Sequence, residues 1–367
     1  IFANYAMKKY SLFLVCYALL FPFLAQDWYS VPAFPGVERD DASGFILGNE
    51  LYVGAGLSPW WSPMADFYSL NLTTNQWSTK AALPAGEERQ YATSFVLNGK
   101  GYVFGGYNGV SYLNDLWQYD EASDTWSLSD SLPSFGRSGS TAFVLNNKAY
   151  LVGGKHATGA ATDEVWSYDP QAAAWNQEPN MPFGMRWRSA GIAHNGLGYL
   201  LFGRDENNQF MNGFYSFDPI TNQWESLPSF PSLGRSHASL FRLNDGVYAC
   251  FGIDSLGQSH NDLWKFDELT QTWITLPGIP DLGRRGGVCL SDGNAMYYVT
   301  GIDEGNHRMN EAWMYAPMLG VDTISGSGKT LVGRYDVLGR PISDKQNQVV
   351  LNVYSDGTVK RIVQWVP

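Results

Sequence analysis

The stretch GYVFGGYNGVSYLNDLWQYDEASDTW, from Gly101 to Trp126, decides how this chain folds. GYVFGG reads as a mostly apolar strand ending in glycines, and YNGVSYLN as a polar loop. DLWQYD sets Leu116 and Gln118 against Trp117 and Tyr119, the alternation of another strand. The turn EASD then leads into a last strand, TWSL. On the N-terminal side, YATSFVLN (91 to 98) runs into Asn98-Gly99, a pair that favours φ > 0 at a hairpin tip. The unit is therefore four antiparallel strands. One such sheet cannot bury both faces, so neighbours must stack on it.

The rest of the chain supplies those neighbours. Trp28, Trp77, Trp126, Trp175, Trp224 and Trp273 stand 49 residues apart. Gly56, Gly105, Gly154, Gly203, Gly252 and Gly301 keep the same spacing, as do the aromatics Tyr68, Trp117, Trp166, Tyr215, Trp264 and Trp313. Three series in step, with no insertion, describe six equal sheets around an axis, a six-bladed β-propeller of all-β class. Trp28 precedes the first glycine and no tryptophan follows Trp313 at the expected place, so DWYSV (27 to 31) is expected to supply the missing strand of the sixth blade and close the ring. The tryptophans and glycines need no function beyond packing.

These motifs resemble kelch repeats. The Gly-Gly after the second strand, the DLWxYD-type third strand and the tryptophan beyond it carry the resemblance, and YLVGG…DEVWSYDPQAAAW (150 to 175) and YACFG…NDLWKFDELTQTW (248 to 273) repeat it. It covers roughly residues 27 to 317. Blades 4, 5 and 6 depart by keeping one glycine, followed by Arg204, Ile253 and Ile302.

The ends read differently. Met7, Lys8 and Lys9 precede an apolar run from Leu12 to Leu24, with Ala25 as a small residue for cleavage, so 7–25 reads as a signal peptide too short to span a membrane comfortably. The propeller is assigned 26–317 and a linker 318–330. Residues 331–367 form a small C-terminal β appendage in which YDVLGRPI and YSDGTVKRIV resemble the sorting domains of the type IX secretion system of Bacteroidetes-type bacteria. That resemblance implies contact with secretion machinery and a secreted or outer-surface location; the tail lacks the Pro-Asn-Pro opening common in that family, and a plain β appendage is the alternative.

The net charge of -11 argues against a nucleic-acid partner. Cys250 and Cys289, in apolar runs, are expected as two buried free thiols. Five scattered histidines and no metal-type Cys pattern leave no expected metal, and GSGKT at 326 to 330 lacks full phosphate-loop spacing, so no cofactor is expected. A monomer is expected.

One register points to chemistry. Arg39, Glu88, Arg137, Arg186, Arg235 and Arg284 enter the first strands at 49-residue spacing, with Arg89 beside Glu88, and Arg188 and Arg285 close by. The guanidinium fork suits carboxylate, sulfate or phosphate. Two readings stay open: an anion-binding mouth on the face carrying the loops after the second strands, here called the top, or framework arginines bonded to carbonyls and acids. Glu88 pairs with Arg89 or Arg137, or else is a candidate general acid/base. Arg204 stands where other blades have glycine. Trp60, Trp61 and Tyr107, with Tyr112, His156, His260, His307 and Arg308, populate the variable top loops, and aromatics on a rigid scaffold suit sugar stacking or a protein contact. The expected function is a secreted binding module for an acidic glycan or sugar, or an acidic protein segment. The alternative comes from the resemblance: six-bladed kelch proteins include sialic acid mutarotases, which implies Glu88 as catalyst with Arg137, Arg186, Arg235 and Arg284 gripping the sugar carboxylate.

Overall fold

The computed structural model describes residues 27–317, 331–336, 339–340, 342, 348–354 and 359–364. The leader 7–25 and the linker 318–330 lie outside the described residues, as does part of the tail.

Six four-stranded antiparallel sheets follow one another as the repeat requires. Blade 2 is Thr93–Leu97, Lys100–Tyr107, Tyr112–Asp120 and Thr125–Ser131. Its first hairpin turns on Asn98 (φ 50°) and Gly99 (φ 73°), and Asn195 (49°) and Gly196 (80°) repeat this in blade 4. Two successive positive φ values match the twist of the strands they join. The final Asp of each DLWQYD-type strand caps the next turn: Asp120 accepts from the Ala122 N–H at 2.9 Å, and Asp218 from that of Ile220 at 2.8 Å.

The ring closes as expected. Trp28–Val31 pairs antiparallel with Ala312–Tyr315, making it the outer strand of blade 6, after Val288–Ser291, Met296–Val299 and Ala312–Tyr315. Trp28 is 2% exposed; its Nε1 donates to the Pro277 carbonyl at 2.9 Å, and its ring lies 5.9 Å from Phe251 of blade 5. The same tryptophan reaches back 45 residues elsewhere: Trp126 Nε1 donates to the Ala81 carbonyl and Trp273 Nε1 to that of Pro228. Trp126 lies tilted against Tyr119 of its own blade at 5.1 Å and against Phe67 of the preceding blade at 4.8 Å, which keys the outer strand to its neighbour, whereas the Nε1 atoms of Trp175 and Trp224 are buried with no acceptor among the described residues. The repeated glycine is steric: Gly56 has φ 91°, and a Cβ there would stand 2.7 Å from the Asp40 carbonyl oxygen.

Leu331–Tyr335, Gln348–Tyr354 and Val359–Gln364 form a separate three-stranded antiparallel sheet, the expected appendage. Cys250 is a buried free thiol; Cys289 is free but only half-buried, because its strand is innermost and edges the channel.

Candidate functional site

The arginine register divides into a framework and a site. Arg39, Arg89, Arg137, Arg186, Arg235 and Arg284 are all 2% exposed or less. Arg39 donates to the Ala55 carbonyl at 2.9 Å and bidentately to Asp66 at 2.7 and 2.8 Å. Arg235 repeats this with Phe251 and Asp262, and Arg89 with Gly105 and Asp115. Arg137 reaches Glu164 at 2.6 Å; Arg284 reaches Asp281 at 2.8 Å and Glu311 at 3.5 Å. The acids receive a second donor from the third-strand indole: Trp117 to Asp115, Trp166 to Glu164, Trp264 to Asp262. Burial raises the Asp262 carboxyl, but the Arg235 bond and charge and the Trp264 N–H outweigh it, holding Asp262 below the ordinary carboxylate range. An arginine so enclosed ties together the end of the second strand and the start of the third in its own blade, rather than gripping a ligand. The framework alternative thus describes these residues, and a carboxylate-gripping role for Arg137, Arg235 and Arg284 does not fit their geometry.

Blade 2 is shifted by one residue. Arg89, not Glu88, occupies the framework place, and Glu87, not Glu88, pairs with it at 2.7 Å. Glu88 is half-exposed and accepts from the Gly86 N–H at 3.3 Å. Blade 4 lacks the acid: Gly213 stands at its position, and Arg186 donates to the Phe202 and Gly213 carbonyls while its Nε and Nη2 are buried with no partner. The acids were legible as an Asp or Glu two places before each third-strand aromatic, again at 49-residue spacing (Asp66, Asp115, Glu164, Asp262, Glu311).

Two residues beyond each framework arginine, the chain reaches the axis. Asp41, Tyr91, Gly139, Arg188, His237 and Gly286 all have φ between 51° and 64°. Their amides link around the ring: Asp41 N–H to Gly286 O, Tyr91 to Asp41, Gly139 to Tyr91, Arg188 to Gly139, Gly286 to His237. Non-glycine residues held at positive φ are costly unless the surroundings impose it. Here the five amide bonds that link these six residues impose it, and the side chains converge on a cavity of about 150 Å³ lined by these residues and the small ones that follow them.

The chemistry of this mouth comes from positions where blades differ. The Arg188 guanidinium lies 4.2 Å from the centre of the Tyr91 ring and 4.4 Å from that of Trp187, and its Nε is buried without an acceptor. Arg204, paired by backbone to Trp187, donates Nε to Ser236 Oγ at 3.2 Å and lies over Phe210. Arg285 donates to Ser259 Oγ at 3.0 Å and Asn306 Oδ1 at 2.7 Å. Among the described residues none of these three has a carboxylate at ion-pair distance, whereas Arg308 pairs with Asp40 at 2.5 Å and lies over Trp61. Burial and the adjacent Asp40 charge, opposed by Arg188, hold the Asp41 carboxyl well above the ordinary range. Burial, then Arg188, Arg204 and Arg285, hold His237 well below the usual imidazole range, hence neutral. The mouth so combines a carboxyl of raised proton affinity, a neutral imidazole and guanidinium groups without a carboxylate at ion-pair distance among the described residues.

Of the residues expected from sequence, Arg204 belongs to this site and Trp61 reaches its rim through Arg308. Trp60 is exposed; Tyr107 stacks on Tyr112 within its own loop. His156 lies against Phe135, His260 bonds Asp254, and His307 bonds Asp303. Asp41, Tyr91 and His237 were missed, although their shared place two residues after each framework arginine was readable. Among the described residues no group of three or more His, Cys, Asp or Glu is placed to hold a metal.

Comparison with known proteins agrees with the architecture. The N-acetylneuraminate epimerase of Pasteurella multocida (strain Pm70) is 33% identical over 132 residues, 34% of this chain and 32% of that protein. Kelch-like protein 35 of Mus musculus is 28% identical over 109 residues, 30% of this chain and 18% of that protein. The chain thus spans a third or less of the length of these curated relatives. The solved structure titled "Structure of YjhT" matches with a TM-score of 0.67 at 19% identity, over 90% of this chain and 99% of that one, a likeness of fold. The family model of the KLHDC2/KLHL20/DRC7 Kelch-repeats domain matches residues 25–190 and 139–320. Repeat, ring and family model agree, and the chain belongs to the Kelch-repeat family.

Proposed function

We propose that the top of the channel binds a small acidic sugar, its carboxylate received by Arg188 with Arg204 and Arg285 alongside. The observation that carries this reading is Arg188: an axial guanidinium with a buried, unmatched Nε and no carboxylate at ion-pair distance among the described residues. Guanidinium groups that repel one another are stabilised by an incoming anion, and a planar carboxylate matches the fork. A cavity of about 150 Å³ takes the acidic end of one sugar, leaving the remainder in the open mouth towards Arg308 and Trp61. The similarity to N-acetylneuraminate epimerases supports N-acetylneuraminate as the probe. Calorimetric titration is expected to show binding that falls at least about tenfold in Arg188→Gln, since a charged hydrogen bond contributes about 1.5–3 kcal/mol. Undiminished affinity in that variant would overturn the reading.

A second reading, interconversion of sugar anomers, is favoured by Asp41 and His237. In this reading Asp41, whose proton affinity burial raises, gives a proton to the ring oxygen while neutral His237 takes that of the anomeric hydroxyl; the ring opens to the carbonyl form and recloses on the other face as both protons return. Exchange NMR of N-acetylneuraminate separates the readings: a rate lost in Asp41→Asn with affinity retained marks an enzyme, and an unaccelerated rate in the native protein marks a binder. The export reading is likewise our inference, supported by the leader-like run before residue 26 and the tail's resemblance to sorting domains.

A further inference from the structure

The opposite end of the channel is a different environment. A cavity of about 320 Å³ runs between the innermost strands, and it shares no lining residue with the top mouth. Its walls are Ile46, Val96, Val144, Ile192 and Leu290 among others. One position breaks the pattern. Next to the last residue of each first strand the blades place Ile46, Val96, Val144, Ala193 and, in blade 6, the terminal Ser291; blade 5 places Arg242.

Arg242 is half-buried, and its backbone carbonyl accepts from Ser291 Oγ at 2.6 Å. No ion pair of its guanidinium occurs among the described residues. Of the acids in this region, Asp245 is engaged by Lys265 at 2.6 Å and by Tyr248 at 2.9 Å, and Glu268 lies 3.5 Å from His194. A single cation at the edge of a channel walled in large part by aliphatic side chains, with Ser94 and Ser291 among them, is the complement of an amphiphile with one negative end. The charge is met at Arg242, and the tail removes the strand side chains from water. The volume lies at the low end of the roughly 300–1,000 Å³ of small-ligand sites, which suits a medium-length chain.

We propose that the lower channel binds a medium-chain monocarboxylate, its carboxylate on Arg242 and its alkyl chain along Ile46, Val96, Val144 and Ile192. Titration of the whole chain with hexanoate, octanoate and decanoate tests this. The dissociation constant is expected to fall about fourfold per added methylene, from about 0.8 kcal/mol per buried CH₂. Octanoate is expected to bind at least about tenfold tighter than octanol in the native protein and no tighter in Arg242→Gln, while Arg242→Lys retains the preference and Arg188→Gln changes nothing. A one-to-one complex with these properties supports the site. Binding insensitive to chain length, binding of several molecules per chain, equal affinity in Arg242→Gln, or loss of binding in Arg188→Gln would each overturn it.

Discussion

Replacing Asp262 by alanine tests the claim that the repeated arginines hold the blades together. The substitution removes both bonds from Arg235, at 2.7 and 2.6 Å, and the acceptor of the Trp264 indole at 2.7 Å. Arg235 is 1% exposed, so its charge stays buried; Asp262 is 28% exposed at its side chain, so water partly replaces it. Breaking a buried pair by removing one partner costs about 3–5 kcal/mol, and the exposed side of Asp262 points to the lower end, about 3 kcal/mol. At roughly 2–4 °C per kcal/mol for large domains, Tm drops by at least about 6 °C. The cost also depends on pH. Asp262 is held below its unfolded value, so its contribution is full above the ordinary aspartate value of about 3.9 and disappears as pH falls through its lower folded value. Urea unfolding of both proteins from pH 7 to pH 3 should therefore show the gap closing in acid. Blade 4 offers the converse: Gly213→Asp with Tyr215→Trp rebuilds the acid–indole pair and is expected to raise stability by about 1–2 kcal/mol by meeting the orphaned Nε and Nη2 of Arg186. The tyrosine must change too, because a Cβ at 213 meets the Tyr215 hydroxyl at 2.6 Å. A loss below about 1 kcal/mol in Asp262→Ala, constant with pH, would refute the framework role.

Two further outcomes follow from the same structure. Asp41→Asn is expected to stabilise the fold at neutral pH. The folded carboxyl holds its proton more tightly than the unfolded one, so native stability declines as pH rises from the unfolded value through the raised folded one, and thermal melts should show the variant's advantage growing over that window. Trp28→Ala removes a side chain 2% exposed and its bond to Pro277; a loss of about 3–5 kcal/mol is expected, with hydrogen exchange rising first in Trp28–Val31 and along its pairing with Ala312–Tyr315.

What the sequence determined by itself is everything that repeats. Alternation within GYVFGG and DLWQYD, Asn-Gly at the hairpin tip and the 49-residue series in Trp and Gly act locally or between adjacent units, so they prescribe six sheets, their order and the closing strand at Trp28. The site belongs to what does not repeat. Arg39 and Arg188 are alike as letters, yet one is locked to Asp66 and the other stands unmatched on the axis. That difference rests on position: Arg39 enters its blade facing the carboxylate 27 residues on, whereas Arg188 stands two residues past its own framework arginine, Arg186, where the chain turns to the axis. Only closure of the ring brings Asp41, Tyr91, Arg188 and His237, from four different blades, around one cavity. The proton affinities of Asp41, Tyr91 and His237 are set there by shared burial and by the charges around the ring, which no single repeat contains.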